Sequence, residues 1–336
     1  MRRRHFFSLF SLAGASLAAA GSLQAQGTPA TAGTGKSEIQ DPGPWSDWPW
    51  EEVRIPYRER KARVKWPNNS PLWVYMYITG EWGRLFLNDP KGLYKRDLRG
   101  ESEGGQYELE VAIYRAINLL DKHGLKVSVA PYAGTVEHYP DLFRELVKRG
   151  HEIQARPYSG ISTTRMTPTE ERAEIKKITA VIEKVTGKRP MGFDNPGGVC
   201  TDQTPHILAE EGYLYMCGLK GDDLPYGIKT RSGKTLLVIG SRHTTTNDNA
   251  IFEGRGMRSP SMAFEYMKDI FDCYYKLGVQ EFPGTLNYGI HPKNGLLPER
   301  VIYQDRILGY MTSQKDVRFT NYLELAEYWQ KTYINA

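Results

Sequence analysis

The chain has 336 residues, 44 Lys and Arg against 39 Asp and Glu, and a formal net charge of +5. Arg2, Arg3, Arg4 and Lys36 precede residue 44, as do Glu38 and Asp41, which leaves about +3 for the remainder. With no basic patch interleaved with aromatics, this excludes a nucleic-acid binder held by bulk charge. Cys200, Cys217 and Cys273 are odd in number and widely spaced. They form neither a paired zinc pattern nor a disulfide framework, and a chain this long builds its core without one.

Taken in chain order, the sequence opens with the cationic Met1-Arg-Arg-Arg-His5 and an apolar stretch from Phe6 to Ala20. Small and polar residues follow, which is the layout of a removable signal peptide over residues 1–25. The stretch is too short to cross a bilayer core of ~30 Å as a helix, so no stable membrane insertion is expected after cleavage. Arg3-Arg4-His5-Phe6-Phe7 is similar to the twin-arginine export motif, although the usual Ser before the arginines is missing. The expected location is the periplasm or the exterior. Residues 26–43 are rich in Gly, Ser, Thr, Ala and Pro and predict a disordered linker. Trp45, Trp48 and Trp50 need a surface to pack on, so one domain is expected over 44–336.

Within that domain, short apolar runs alternate with helical patterns. Leu72 to Ile78 is a near-continuous β-former run, as in a strand buried on both faces. Helical periodicity over Glu108 to His123 closes at Gly124. Lys126 to Ala130 is the next strand, Tyr139 to Arg149 the next helix, and His151 to Ala155 a short strand. Thr167 and Pro168 open a helix reaching Val185. Pro190 to Phe193, Tyr213 to Cys217, Leu236 to Ile239, Thr285 to Ile290 and Val317 to Thr320 complete the strands. Helices over 202–211, 261–277, 298–311 and 321–333 separate or follow them. Seven or eight strands alternating with helices argue for a parallel α/β sheet with right-handed crossovers. No Gly-rich phosphate loop follows the first strand, so a barrel is favoured over a dinucleotide-binding sheet. In a barrel the site lies at the C-terminal strand ends. There stand Thr79-Gly-Glu81, Arg156-Pro-Tyr158, Asp194-Asn195, Asp222-Asp223 with Tyr226, His243 and His291. His123, His138, His151 and His206 fall in helical or pre-strand positions and read as structural.

Several segments in register resemble the polysaccharide deacetylase, or NodB-homology, family. They are His123-Gly124, Arg149-Gly-His-Glu-Ile153, Thr186-Gly-Lys-Arg-Pro190, Ala209-Glu-Glu-Gly-Tyr213, Asp222-Asp-Leu-Pro-Tyr226, Thr246-Asn-Asp248 and Ile290-His-Pro292. The resemblance runs from about Trp73 to Trp329 and is strongest to the branch containing a metal-independent allantoinase. It implies a distorted (β/α)7 barrel and hydrolysis of a non-peptide carbon–nitrogen bond. The substrate would be an N-acyl sugar or a small cyclic amide or imide. It also implies an Asp pair after the first strand and His-x-x-x-His after the third, both histidines binding zinc or a similar metal. This chain has only Glu81 in the first place, and Arg156 and Gly160 in the second.

An arginine repels a cation, so no metal and no cofactor is expected. A site rebuilt from Glu81, Asp222, His243 and His291 is the alternative. Without a metal, Glu81, Asp222 or Asp223 is the candidate base, and two adjacent carboxylates can split their pKa values. His291, which matches a catalytic His of the family, is the candidate acid. Arg156 would stabilise an oxyanion or grip a substrate carboxylate. Tyr158, Asp194, Asn195, Tyr226 and His243 are candidate substrate contacts. Two other readings stay open. One is a lyase or an ester or C–C hydrolase acting on an anionic substrate. The other is a non-catalytic sugar binder using Trp82, Tyr107, Tyr158 and Tyr226. A homo-oligomer is compatible with either.

Overall fold

Eight consecutive buried residues, Leu72–Thr79, form the central strand. A computed structural model describes residues 48–80, 82–83, 102–240 and 246–335. The signal segment, the linker and two site candidates, Glu81 and His243, lie outside the described residues. The compact unit that holds the elements below begins at Pro49.

The described strands are β1 (Glu52–Val53), β2 (Leu72–Thr79), β3 (Ser128–Ala130), β4 (Glu152–Ile153), β5 (Gly192–Phe193), β6 (Tyr215–Cys217), β7 (Tyr226–Lys229), β8 (Thr235–Ile239), β9 (Gly284–Ile290) and β10 (Arg318–Thr320). Parallel pairing runs β9–β2–β3–β4 in one sheet and β5–β6–β8 in the other. The Ala155–Phe193 bridge joins the two sheets, and an Asn247–Gly289 bridge links the segment after β8 to β9. Seven parallel strands thus follow one another in the expected barrel-type α/β arrangement. β10 pairs in parallel with the first half of β2.

The strand alternation assigns two cores. Leu72, Val74, Met76 and Ile78 pack outward under the helices. Trp73, Tyr75 and Tyr77 point inward against Tyr215, Cys217, Leu237, Ile239 and Tyr322. Two-sided burial is why β2 reads as an unbroken apolar run. The helix Pro168–Thr186 starts at the expected place, with a capping box between Thr167 and Glu170, and ends at Gly187, whose φ of 71° suits glycine. The structure adds elements that the periodicity does not announce. A helix spans Tyr57–Arg63, another Ala133–His138, and the stretch expected to be a loop after Asp222 leads into β7, antiparallel to β8.

The inner face of β4 is polar, and its floor is closed by Glu152. That carboxylate accepts hydrogen bonds from the Ser128 hydroxyl, from Tyr215 Oη at 2.7 Å and from the Leu323 main-chain N–H at 3.1 Å. Ser128 Oγ in turn accepts from Tyr322 N at 2.9 Å, so the pair anchors the start of the helix Tyr322–Trp329. Burial outweighs the three donors and raises the Glu152 pKa from 4.5 to about 7. The native state therefore holds a proton that the unfolded chain releases. This contribution is complete below 4.5 and is lost as pH rises through about 7. At 1.4 kcal/mol per unit it amounts to at most about 3 kcal/mol. Denaturant unfolding across this range should show stability falling as pH rises, and Glu152→Gln should flatten that slope while lowering stability at acid pH. An equally steep slope in the variant would remove Glu152 as its source.

Candidate active site

Glu152, Gln154 and Arg156 are two residues apart, so strand alternation sends all three inward. Gln154 Nε2 donates to Tyr215 Oη at 2.7 Å, one step above the floor. Arg156, one step further, is buried at the end of the strand. Its Nη1 donates to Thr79 Oγ1 at 2.7 Å, to Gly80 O at 3.1 Å and to Ala130 O at 3.3 Å. The guanidinium lies over the Tyr132 ring, 4.5 Å from its centroid. Its Nε is 3.4 Å from Asp194 Oδ2. Three acceptors on Nη1 and a ring thus fix the plane; the buried Nε makes no hydrogen bond, and no hydrogen bond engages Nη2 among the described residues. The Asp194 carboxylate accepts no hydrogen bond among them either. Burial raises its pKa, against the opposing pull of Arg156 and then His291.

The end of β2 is shaped to receive Arg156. Trp82 adopts a left-handed backbone, with φ of 47°, and its N–H donates to Glu108 Oε2 at 2.7 Å. A Cβ on Gly80 would stand 1.7 Å from Glu108 Oε1, so only glycine lets the chain turn here. The turn presents Gly80 O to the guanidinium.

On the opposite side, His291 follows β9. Its Nδ1 is 2.8 Å from Asp248 Oδ1, and its main-chain N–H donates to both Asp248 oxygens at 3.0 and 2.9 Å. Asp248 is fully buried and also accepts from Gln304 Nε2 at 3.0 Å. A carboxylate only accepts, so Nδ1 carries the proton and Nε2 is the free imidazole atom. His291, Arg156, Thr79, Gly80, Tyr107 and Tyr132 line a common cavity of about 780 Å³. Asp248 was not among the residues singled out from sequence. Its signal was only its place in the Thr246-Asn-Asp248 segment, because its partner lies 43 positions away.

Other expected site residues lie elsewhere. Asp222 is held by Arg54 Nη1 at 2.9 Å and Arg60 Nη2 at 2.7 Å, and its Oδ1 accepts from Leu224 N at 3.1 Å. Asp222 and Asp223 border a recess of about 10 Å³, space for one water at most. The Asp222 carboxylate therefore clamps Arg54, just after β1, and Arg60 of the helix Tyr57–Arg63, and neither Asp222 nor Asp223 lines the cavity that His291 and Arg156 share. Tyr226 is buried beneath the Arg54 guanidinium, 3.7 Å from its ring centroid. Tyr158 faces outward, its hydroxyl on Glu137 at 2.7 Å and its ring under Lys177. Asn195 is also buried and ties the Pro196–Gly198 turn by donating to Thr163 Oγ1 at 3.0 Å and to Val199 O. Of the expected residues, the structure brings together Arg156, Asp194 and His291.

Among the described residues the donor set does not fit a divalent ion. A fixed cation fills the position where the family resemblance calls for histidine, and Asp222 is committed to two arginines. Among the described residues no three His, Cys, Asp or Glu side chains converge as ligands.

Comparisons with known proteins agree with this architecture. Residues 110–216 match the family model described as polysaccharide deacetylase. A peptidoglycan deacetylase of Helicobacter pylori is 21% identical over 252 residues, 66% of this chain and 85% of that protein. The crystal structure of Puue allantoinase superposes with a TM-score of 0.72 at 26% identity, covering 83% of this chain and 95% of that one. A Pseudomonas aeruginosa PAO1 structure, described as a probable polysaccharide deacetylase, shares the fold at TM-score 0.72 and 24% identity, over 82% of this chain and 95% of its own.

Replacing Asp222 would strand two arginines. Asp222→Ala should lose roughly 2–3 kcal/mol in denaturant unfolding, discounted from a fully buried pair because Arg54 keeps some solvent. Unchanged stability with lost activity would return Asp222 to the site.

Proposed function

We propose that this chain, which carries a polysaccharide deacetylase domain and is a hydrolase, opens a carbon–nitrogen bond of a small cyclic amide or imide, without a catalytic metal. The observation that carries this reading is the Arg156–Asp194 pair at 3.4 Å, a donor beside an acceptor, each with atoms left unpaired. An open-chain amide such as an N-acetyl group is trans, and its C=O and N–H point in opposite directions. Turning it cis costs about 2.5–4 kcal/mol. A small ring enforces the cis form and puts C=O and N–H on one edge. Such an edge offers an acceptor to Arg156 Nη2 and a donor to the Asp194 carboxylate.

The chemistry follows from the two sides of the cavity. Neutral His291 takes a proton from water at Nε2 as the water oxygen adds to the carbonyl carbon. The growing oxyanion meets the guanidinium, which is already oriented and needs no rearrangement. Buried Asp248 stabilises the imidazolium through Nδ1. The proton on Nε2 then passes to the leaving nitrogen and the carbon–nitrogen bond breaks; the carboxylic acid so formed gives its remaining proton to Nε2 and on to solvent, and the carboxylate faces Arg156.

Deacetylation of an N-acyl sugar is the second reading, supported by the family match and by the name of the Helicobacter pylori relative. Of the four aromatic residues expected to stack on a sugar, only Tyr107 lines the cavity: Trp82 is wholly buried, and Tyr158 and Tyr226 lie outside it. The N-terminal pattern supports action outside the cytoplasm, and no described helix is long and apolar enough to cross a membrane.

The test is a panel of hydantoin, dihydropyrimidine and succinimide rings beside chitooligosaccharides and peptidoglycan fragments. Ring opening is expected, with His291→Ala slowing it by about 10²–10⁴. Acetate release without ring opening would transfer the function to the second reading.

A further inference from the structure

Behind Asp248 lies a buried polar chain that no step of the proposed reaction touches. Gln304, on the helix Pro298–Thr312, is fully buried. Its Nε2 donates to Asp248 Oδ2 at 3.0 Å, and its Oε1 accepts from Tyr288 Oη at 2.8 Å. The Tyr288 and Tyr303 hydroxyls stand 3.1 Å apart. Burial raises the pKa of both phenols, so they remain neutral donors. The Asp248 carboxylate, which only accepts, decides which way the Gln304 amide faces, and the Tyr288 hydroxyl satisfies the amide oxygen on the other side. The reverse would set two acceptors against each other. Gly295 admits this contact: a Cβ there would lie 1.7 Å from Asp248 Oδ2 and 2.6 Å from Gln304 Nε2.

We infer that Gln304, anchored at its amide oxygen by Tyr288, is a positioning residue that locks the Asp248 carboxylate edge-on to His291 and so keeps the free imidazole nitrogen, Nε2, turned to the cavity. Asp248 offers two oxygens and could rotate between partners. Oδ1 is held by His291 Nδ1 and Oδ2 by Gln304, while the His291 main-chain N–H reaches both oxygens. Losing the Gln304 donor leaves that shared N–H as the last hold on Oδ2, so the carboxylate can tilt about it and weaken the Nδ1 contact, after which either imidazole nitrogen can carry the proton. Supporting groups of this kind typically change rates ten- to a hundredfold through the residue they hold. The inference rests on His291 serving the proposed reaction, but its primary test does not.

Full-length mature protein labelled with ¹⁵N-histidine reports the tautomer directly, with His291 assigned by its loss in His291→Gln. The wild type should show one tautomer, protonated at Nδ1. Gln304→Met should show a mixture, with kcat on the best ring substrate lowered about ten- to a hundredfold and KM changed less than twofold. Tyr288→Phe, which leaves Gln304 in place but removes the donor on its amide oxygen, should show a smaller effect in the same direction and serves if Gln304→Met fails to fold. A single unchanged tautomer in whichever variant folds would overturn the inference. A tautomer shift with no turnover in any variant, wild type included, would sink the proposed reaction while leaving the positioning role standing.

Discussion

A buried guanidinium has to be paired, and the pairing of Arg156 organises the cavity. Strand alternation places Arg156 on the inner face above Gln154 and Glu152, where each polar group needs a partner. The partners come from three different strand ends: Thr79 and Gly80 after β2, Ala130 of β3, and Asp194 after β5. Because one side chain binds three elements, the ends of the parallel strands are held in register around it. The turn through Trp82, the missing side chain at Gly80 and the buried Glu108 all serve to put one carbonyl where that guanidinium requires it.

The same cation sets the chemistry. In the proposed reaction the positive charge beside the carbonyl is the Arg156 guanidinium, which stays charged. A guanidinium stabilises an oxyanion by hydrogen bonds but does not acidify a water as a metal does. The proposal therefore gives water activation to an imidazole, which needs a buried carboxylate to share its charge. Asp248 supplies it, and Gln304 with Tyr288 holds Asp248. The loss of metal ligands and the elaborate support behind His291 are thus two aspects of one arrangement.

The sequence carried the repeating elements well, because they rest on local signals. The capping box at Thr167 and the two-sided run of β2 are written in neighbouring residues, and both stand where expected. The site was legible only in part. Arg156 and His291 were marked by their place at strand ends. Asp222 and Tyr226 stood at strand ends too, and their neighbourhood was decided by Arg54 and Arg60, more than 160 positions earlier in the chain. Neither β1 nor the helix Tyr57–Arg63 has the length or periodicity to announce that contact. Asp248 was overlooked for the converse reason, since a lone acid after a short strand has no meaning until β9 is laid beside it.

The central claim is that Arg156 and His291 divide the work of a metal ion, the guanidinium taking the oxyanion and the imidazole the water. Metal content by mass spectrometry on active purified protein, paired with turnover before and after exhaustive chelation, tests it most directly. The account predicts metal well below one equivalent and an unchanged rate after chelation. Activity that disappears with the chelator and returns with one equivalent of a divalent ion would contradict it.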